Sequence, residues 1–79
     1  MPGEPDRQEL QEELFERVRS AATAFYAASG EHARVVAEFG DMLDHPDTTS
    51  AVHRTARLER QAIEEYNLAL RALSDFLGA

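Results

Sequence analysis

Hydrophobic residues recur in alternating steps of four and three along two long stretches of the chain. The first stretch has this spacing at Leu14, Val18, Ala21, Phe25, Ala28, His32, Val35, Phe39 and Met42. The second has it at Val52, Ala56, Glu59, Ile63, Tyr66, Leu70, Leu73 and Leu77. Such spacing is typical of a helix that packs along its length against another helix. The pattern therefore predicts two long helices that pack against each other.

Sequence signals for helix ends set the predicted boundaries. Asp6 is suited to cap the first helix, and Asp47 or Thr48 is suited to cap the second. Pro46 marks the strongest interior break, because the residue before a proline avoids helical backbone angles. The prediction is an all-α chain with a disordered lead-in at 1–5, a helix at 6–44, a turn at 45–47 and a helix at 48–77, which together form one helical-hairpin domain over 6–79.

Gly30 and Gly40 lie inside the first predicted helix. A glycine in a helix interior costs about 1 kcal/mol relative to alanine, so each glycine is a possible break. The hydrophobic spacing nevertheless continues through both positions without a change of phase, which favours one long helix. A three-helix bundle, with helices at 7–28, 31–44 and 48–77, remains the alternative.

A short turn joins neighbouring helices that run antiparallel. With the turn near Pro46, the predicted register places Phe25 beside Tyr66 and His32 beside Glu59. His32 and Glu59 are the two polar residues among these paired positions, and the register brings them into one layer. A buried polar pair of this kind commonly fixes helix register.

Each helix also carries a second apolar strip, which predicts an interface with another molecule. The interface residues predicted from these strips are Phe15, Ala22, Val36, Leu43, Leu58, Ala62, Ala69 and Phe76. A two-fold homodimer that forms a four-helix bundle is the simplest way to cover them. In strict two-helix geometry, however, the predicted strips point to opposite sides of the hairpin.

Composition narrows the classes of partner. The 79 residues include no cysteine, and the formal net charge is −7. Because the surface is acidic, we expect neither nucleic acid nor an anionic membrane to bind. The N-terminus does not resemble a signal peptide, and no stretch is long enough for a membrane span, so we expect a cytoplasmic protein.

The sequence contains no catalytic constellation, so we expect a non-catalytic, self-associating interaction or structural module without a cofactor. Two alternatives remain open. In the first, a dimer combines His32 and Glu59 from two chains into a metal-binding bundle, although the Glu-x-x-His spacing of di-iron bundles is missing. In the second, the chain is a small adaptor or co-chaperone whose apolar strips bind a helix of another protein.

Overall fold

The chain forms a hairpin of two long helices. The computed structural model describes residues 6–42 and 44–78. Helix α1 (Arg7–Phe39) and helix α2 (Pro46–Gly78) pack against each other, and a short 3₁₀ turn (Gly40–Met42) follows α1. The described residues contain no strand, which confirms the prediction of an all-α hairpin. The predicted lead-in at 1–5, together with Leu43 and Ala79, lies outside the described residues.

Helix α1 begins where the sequence predicted. The Asp6 carboxylate accepts a hydrogen bond from the backbone N–H of Glu9 at 2.7 Å, and the Asp6 carbonyl accepts one from the N–H of Leu10 at 3.1 Å. These bonds satisfy backbone donors that the first turn of a helix leaves without intrahelical partners. Asp6 is therefore the N-cap.

Helix α1 continues through Gly30, so the three-helix alternative is wrong. Thirty-three residues form one uninterrupted α-helix. The row of α1 residues that packs on α2 keeps the same spacing on both sides of Gly30. Packing against α2 along the whole helix offsets the low helix propensity of one glycine.

The turn differs from its predicted position at both ends. Helix α1 ends at Phe39 rather than at residue 44, because Gly40 begins the 3₁₀ turn. Helix α2 begins at Pro46 rather than at Thr48, since proline suits the first helical position, where no backbone N–H is needed. The cap is His45, whose Nδ1 accepts a hydrogen bond from the backbone N–H of Asp47 at 3.3 Å.

Helix α2 is turned about its own axis relative to the prediction. Alternate positions of its buried row are therefore one residue earlier in the sequence than predicted, whereas Val52, Glu59, Tyr66 and Leu73 keep their predicted places. The buried and half-buried row is Thr48, Val52, Thr55, Glu59, Ala62, Tyr66, Ala69, Leu73 and Phe76. Ile63, Leu70 and Leu77, which were predicted to pack on α1, are 38%, 38% and 52% exposed. At three of the shifted positions the side chains that face α1 are small, those of Thr55, Ala62 and Ala69, whereas the larger Ile63 and Leu70 next to them lie outside the helix pair.

Two contacts fix how the helices align. The Phe25 and Tyr66 rings stack with centroids 6.2 Å apart, which confirms their predicted pairing. At the open end of the hairpin, the Arg7 guanidinium lies 4.4 Å from the centre of the Phe76 ring and donates a hydrogen bond to the Phe76 carbonyl at 3.1 Å. Arg7 thereby satisfies a carbonyl near the C-terminus of α2, where the helix dipole also favours a cation.

The hairpin is too thin to enclose a hydrophobic core. It measures 61 × 20 × 16 Å, and its radius of gyration is 17.9 Å, against about 12 Å for a compact domain of this length. Among the described residues, the buried hydrophobic side chains are Val35, Ala69 and Leu73. Most apolar side chains therefore keep part of their surface exposed.

We predict that Gly30→Ala stabilises the protein by about 1 kcal/mol, because alanine has the higher helix propensity. No atom lies within 4 Å of a Cβ added at Gly30, so the substitution introduces no clash. Urea unfolding followed by circular dichroism measures the change. Ala27→Gly, at an exposed position one turn earlier, is the matched control and should lose a similar amount. A loss of stability in Gly30→Ala would contradict a continuous α1.

Candidate interaction surface

The two sides of the hairpin differ in chemistry. Each side has a shallow groove between the helices, and the residues that line the groove identify the residues of that side. One groove is lined by Arg17, Ser20, Ala21 and Ala24 of α1 together with Glu65, Leu68 and Ala69 of α2. The other groove is lined by Phe25 of α1 together with Ala56, Glu59, Arg60 and Ile63 of α2. Residues seven positions apart on a helix of this kind lie on the same side, so each groove identifies a stripe along the whole hairpin.

The second groove belongs to a largely apolar surface, interrupted by Ser29 on α1 and by Glu59 and Arg60 on α2, which we call the apolar face. On α2, Ile63 is followed at intervals of seven by Leu70 and Leu77. On α1, the stripe on the Phe25 side of the helix pair carries side chains that are likewise exposed or half-buried. The apolar face consists of Phe15, Ala22 and Val36 from α1 and Ala56, Ile63, Leu70 and Leu77 from α2.

The rotation of α2 resolves the geometric conflict in the sequence prediction. With the predicted seam, the two apolar strips pointed to opposite sides of the hairpin. In the structure, the exposed strip of α2 is the row of Ile63, Leu70 and Leu77, which lies on the same side as Phe15 and Val36. Both helices therefore contribute to one apolar face along the length of the hairpin.

The opposite side of the hairpin, the charged side, carries ion pairs. Arg34 donates hydrogen bonds to Glu31 and to Glu38, the latter at 3.0 Å. The hydrogen bonds from Arg34 hold the pKa of the Glu31 carboxyl below its usual value, and the two carboxylates raise the pKa of Arg34. Because the pKa of Glu31 is lowered, this pairing acts above the ordinary glutamate pKa and is lost as pH falls through the lowered value. These solvated charges suit a side that faces water.

His32 bonds to Thr55 rather than to Glu59. The His32 Nδ1 lies 2.9 Å from the Thr55 hydroxyl oxygen. The Thr55 hydroxyl has one proton, which it donates to the carbonyls of Ala51 at 3.0 Å and Val52 at 3.1 Å. When the hydroxyl donates to one of these carbonyls, it accepts from His32, and in that assignment Nδ1 carries a proton and Nε2 remains the other functional nitrogen of the ring.

The predicted polar layer thus forms with a different partner. Thr55 lies one helical turn before Glu59 and belongs to the rotated row that packs on α1. Glu59 is half-buried in the groove of the apolar face, and within the described residues neither its carboxylate nor the His32 Nε2 has a hydrogen bond. The sequence contained a signal for this outcome, because a threonine can accept a bond from histidine in a helix seam.

No metal site is formed by the described part of a single chain, which holds no group of three or more histidine, aspartate or glutamate side chains placed to bind an ion. A site that uses His32 and Glu59 would need ligands from a second copy.

The predicted interface residues fall into three environments. Phe15, Val36 and the half-buried Ala22 lie on the apolar face, whereas Leu58, seven residues before Glu65, lies on the charged side. Ala62, Ala69 and Phe76 belong to the row that packs on α1, and Ala69 is 0% exposed. Leu43 lies outside the described residues. The sequence prediction missed Ile63, Leu70 and Leu77 as surface residues, because their size and spacing also suit a buried row.

No protein-family model, curated protein or solved structure matches the chain. The described helices contain no segment with the length and hydrophobicity needed to cross a membrane. Function must therefore be inferred from the surfaces of the hairpin itself.

We predict that Thr55→Val destabilises the protein by about 1 kcal/mol, because it removes the acceptor of the His32 bond while keeping the shape of the side chain. Thermal or urea unfolding measures the loss. Thr23→Val is the matched control, since the exposed Thr23 hydroxyl donates to the Arg19 carbonyl of its own helix and, among the described residues, makes no bond to α2. Equal effects of the two substitutions would show that the bond between the helices contributes nothing. Nitrogen-15 NMR of the imidazole should also place a proton on Nδ1.

Proposed function

We propose that the protein is a non-catalytic interaction module that self-associates through its apolar face. The observation that carries this proposal is the collection of large apolar side chains from both helices on one side of the hairpin. Phe15, Ile63, Leu70 and Leu77 are all more than a third exposed on this face. Several large apolar side chains exposed on one side of a small chain favour a contact site there.

The surface area of the chain supports the same proposal. The chain exposes 6050 Å², whereas a compact monomer of 8.8 kDa exposes about 4800 Å². The excess is comparable to the area that a stable interface buries. Docking of a second hairpin on the apolar face would produce a four-helix bundle with an enclosed core.

The charged side supports the choice of face. Arg34, Glu31 and Glu38 form ion pairs within one helix there, so these groups already have partners while exposed to water. Burial of this side would remove solvated charges from water, which is costly. Among the described residues, the charged groups at the apolar face are Glu59 and Arg60 in its groove and the single Arg19–Glu16 ion pair beside it, whereas its other side chains are mostly apolar, so burial of this side costs less.

We predict that Leu70→Gln weakens self-association, because it places an amide in the centre of the apolar face. Light scattering over a range of protein concentrations measures the mass. Leu68→Gln is the matched control, since Leu68 is 55% exposed on the same helix but lines the groove of the charged side. It should leave the mass of the assembly unchanged. A wild-type protein that stays monomeric at high micromolar concentration would refute self-association and favour a helix of another protein as the occupant.

A metal-binding bundle is the second candidate, and the contact between the His32 Nδ1 and the Thr55 hydroxyl supports it. A histidine that ligates a metal through Nε2 commonly donates from Nδ1 to a second group, and Thr55 is placed to accept that bond. This candidate predicts that zinc raises the melting temperature of the wild type and not that of His32→Asn, and that a chelator reverses the rise. An identical melting temperature with zinc and with chelator would exclude it.

A further inference from the structure

The apolar face needs an occupant of matching length and chemistry. From Phe15 to Val36 it extends over six turns of α1, about 32 Å at 1.5 Å per residue. The groove on this face contains one carboxylate and one guanidinium, those of Glu59 and Arg60. A second copy of the chain has the same length and the same pair of opposite charges, so it complements the face although each chain is acidic overall.

We infer that the second copy docks on the apolar face about a two-fold axis parallel to the length of the hairpin, so that Glu59 of each copy meets His32 of the other. This inference rests on the proposed self-association and specifies its partner and its geometry. In this arrangement α1 of one copy lies over α2 of its partner, and both turns lie at the same end of the bundle.

The ring stack determines which residues lie at the same level. Phe25 lies beside Tyr66, so the positions seven residues nearer the turn, His32 and Glu59, are level with each other. A two-fold axis along the hairpin does not change the position of a residue along the hairpin. Each residue on α1 of the partner therefore faces the residue of α2 that is at the same level. Glu59 of one copy then faces the partner's His32.

The other two-fold arrangement has its axis across the hairpin. The midpoint of the apolar face lies near Phe25, so this axis passes near the ring stack. A residue on the turn side of the stack would then face a partner residue at the same distance on the open side. Glu59 and His32 would then face the partner's Leu73 and the partner's Val18. This arrangement would bury the Glu59 carboxylate against aliphatic side chains with no charged group of the partner facing it, which is unfavourable.

The single chain leaves both groups of the inferred pair able to accept a partner. The His32 Nδ1 is committed to Thr55, whereas within the described residues Nε2 and the Glu59 carboxylate form no hydrogen bond. The inferred contact uses the imidazolium form of His32, in which Nε2 also carries a proton and can donate to the Glu59 carboxylate. The dimer would satisfy two polar groups that the hairpin alone leaves to solvent.

Disulfide formation between engineered cysteines tests the axis, because the natural chain contains no cysteine. Ala22 and Leu70 are level on the apolar face, so Ala22→Cys mixed with Leu70→Cys should give a covalent heterodimer. Ala22→Cys mixed with Ser29→Cys is the matched control and should not, because those positions meet only when the axis runs across the hairpin. Cross-linking in the control mixture alone overturns the inferred axis.

Light scattering on the same variants separates the two levels of the proposal. A dimeric mass with no cross-link in either mixture places the interface elsewhere and overturns the geometry while self-association stands. A monomeric mass overturns both.

A double-mutant cycle on the dissociation constant tests the contact between His32 and Glu59. Glu59→Gln removes the charge, and His32→Asn keeps a donor near the Nδ1 position while it removes Nε2. Each substitution should raise the dissociation constant of the dimer. Because both remove the same contact, the double variant should raise it by about tenfold less than the product of the two single effects. Effects that multiply would show that the two side chains do not meet. Circular dichroism confirms that each variant keeps its helices.

Discussion

Two helices that lie side by side cannot enclose a core, and this geometric constraint determines the rest of the structure. Each helix touches the other along one narrow row, so most of its circumference remains outside the contact. Among the described residues the buried hydrophobic set is accordingly small. The remaining apolar side chains must meet water or another molecule. Phe15, Val36, Ile63, Leu70 and Leu77 lie on one side, opposite the ion pairs of Arg34, whereas Leu58 and Leu68 are exposed on the charged side.

Side-chain size distinguishes the two faces of α2 at three successive alternate positions of its buried row. Thr55, Ala62 and Ala69 face α1, whereas the neighbouring row of Ile63, Leu70 and Leu77 lies outside. Small side chains let two helices approach closely, and the bond between His32 and Thr55 adds a polar contact at the same layer. The larger side chains of the outer row would fill a wider space between helices, such as the space between two hairpins in the proposed dimer. The same helix therefore carries two rows of side chains with different packing requirements.

The sequence predicted the number of helices, their antiparallel pairing and the level of Phe25 with Tyr66, because these depend on spacing and on one proline. It did not predict the rotation of α2. Both rows of α2 keep the same seven-residue spacing, and hydrophobicity alone favours the row with the larger residues. The partner of His32 followed from that rotation and was missed with it. The end of α1 was also misplaced, since a 3₁₀ turn at Gly40 leaves little trace in a hydrophobic pattern.

The contact between Arg7 and Phe76 joins the two most distant parts of the chain in sequence. Contacts near the turn close short loops, whereas this one closes a loop of nearly the whole chain and carries the largest entropic cost. The hairpin is therefore expected to fold by pairing progressively from the turn, and the Arg7 contact to form after the folding barrier has been crossed. An interaction that forms so late acts on how slowly the hairpin opens, with little influence on how fast it folds. The Arg7 contact is therefore expected to slow unfolding, which would begin at the open end of the hairpin.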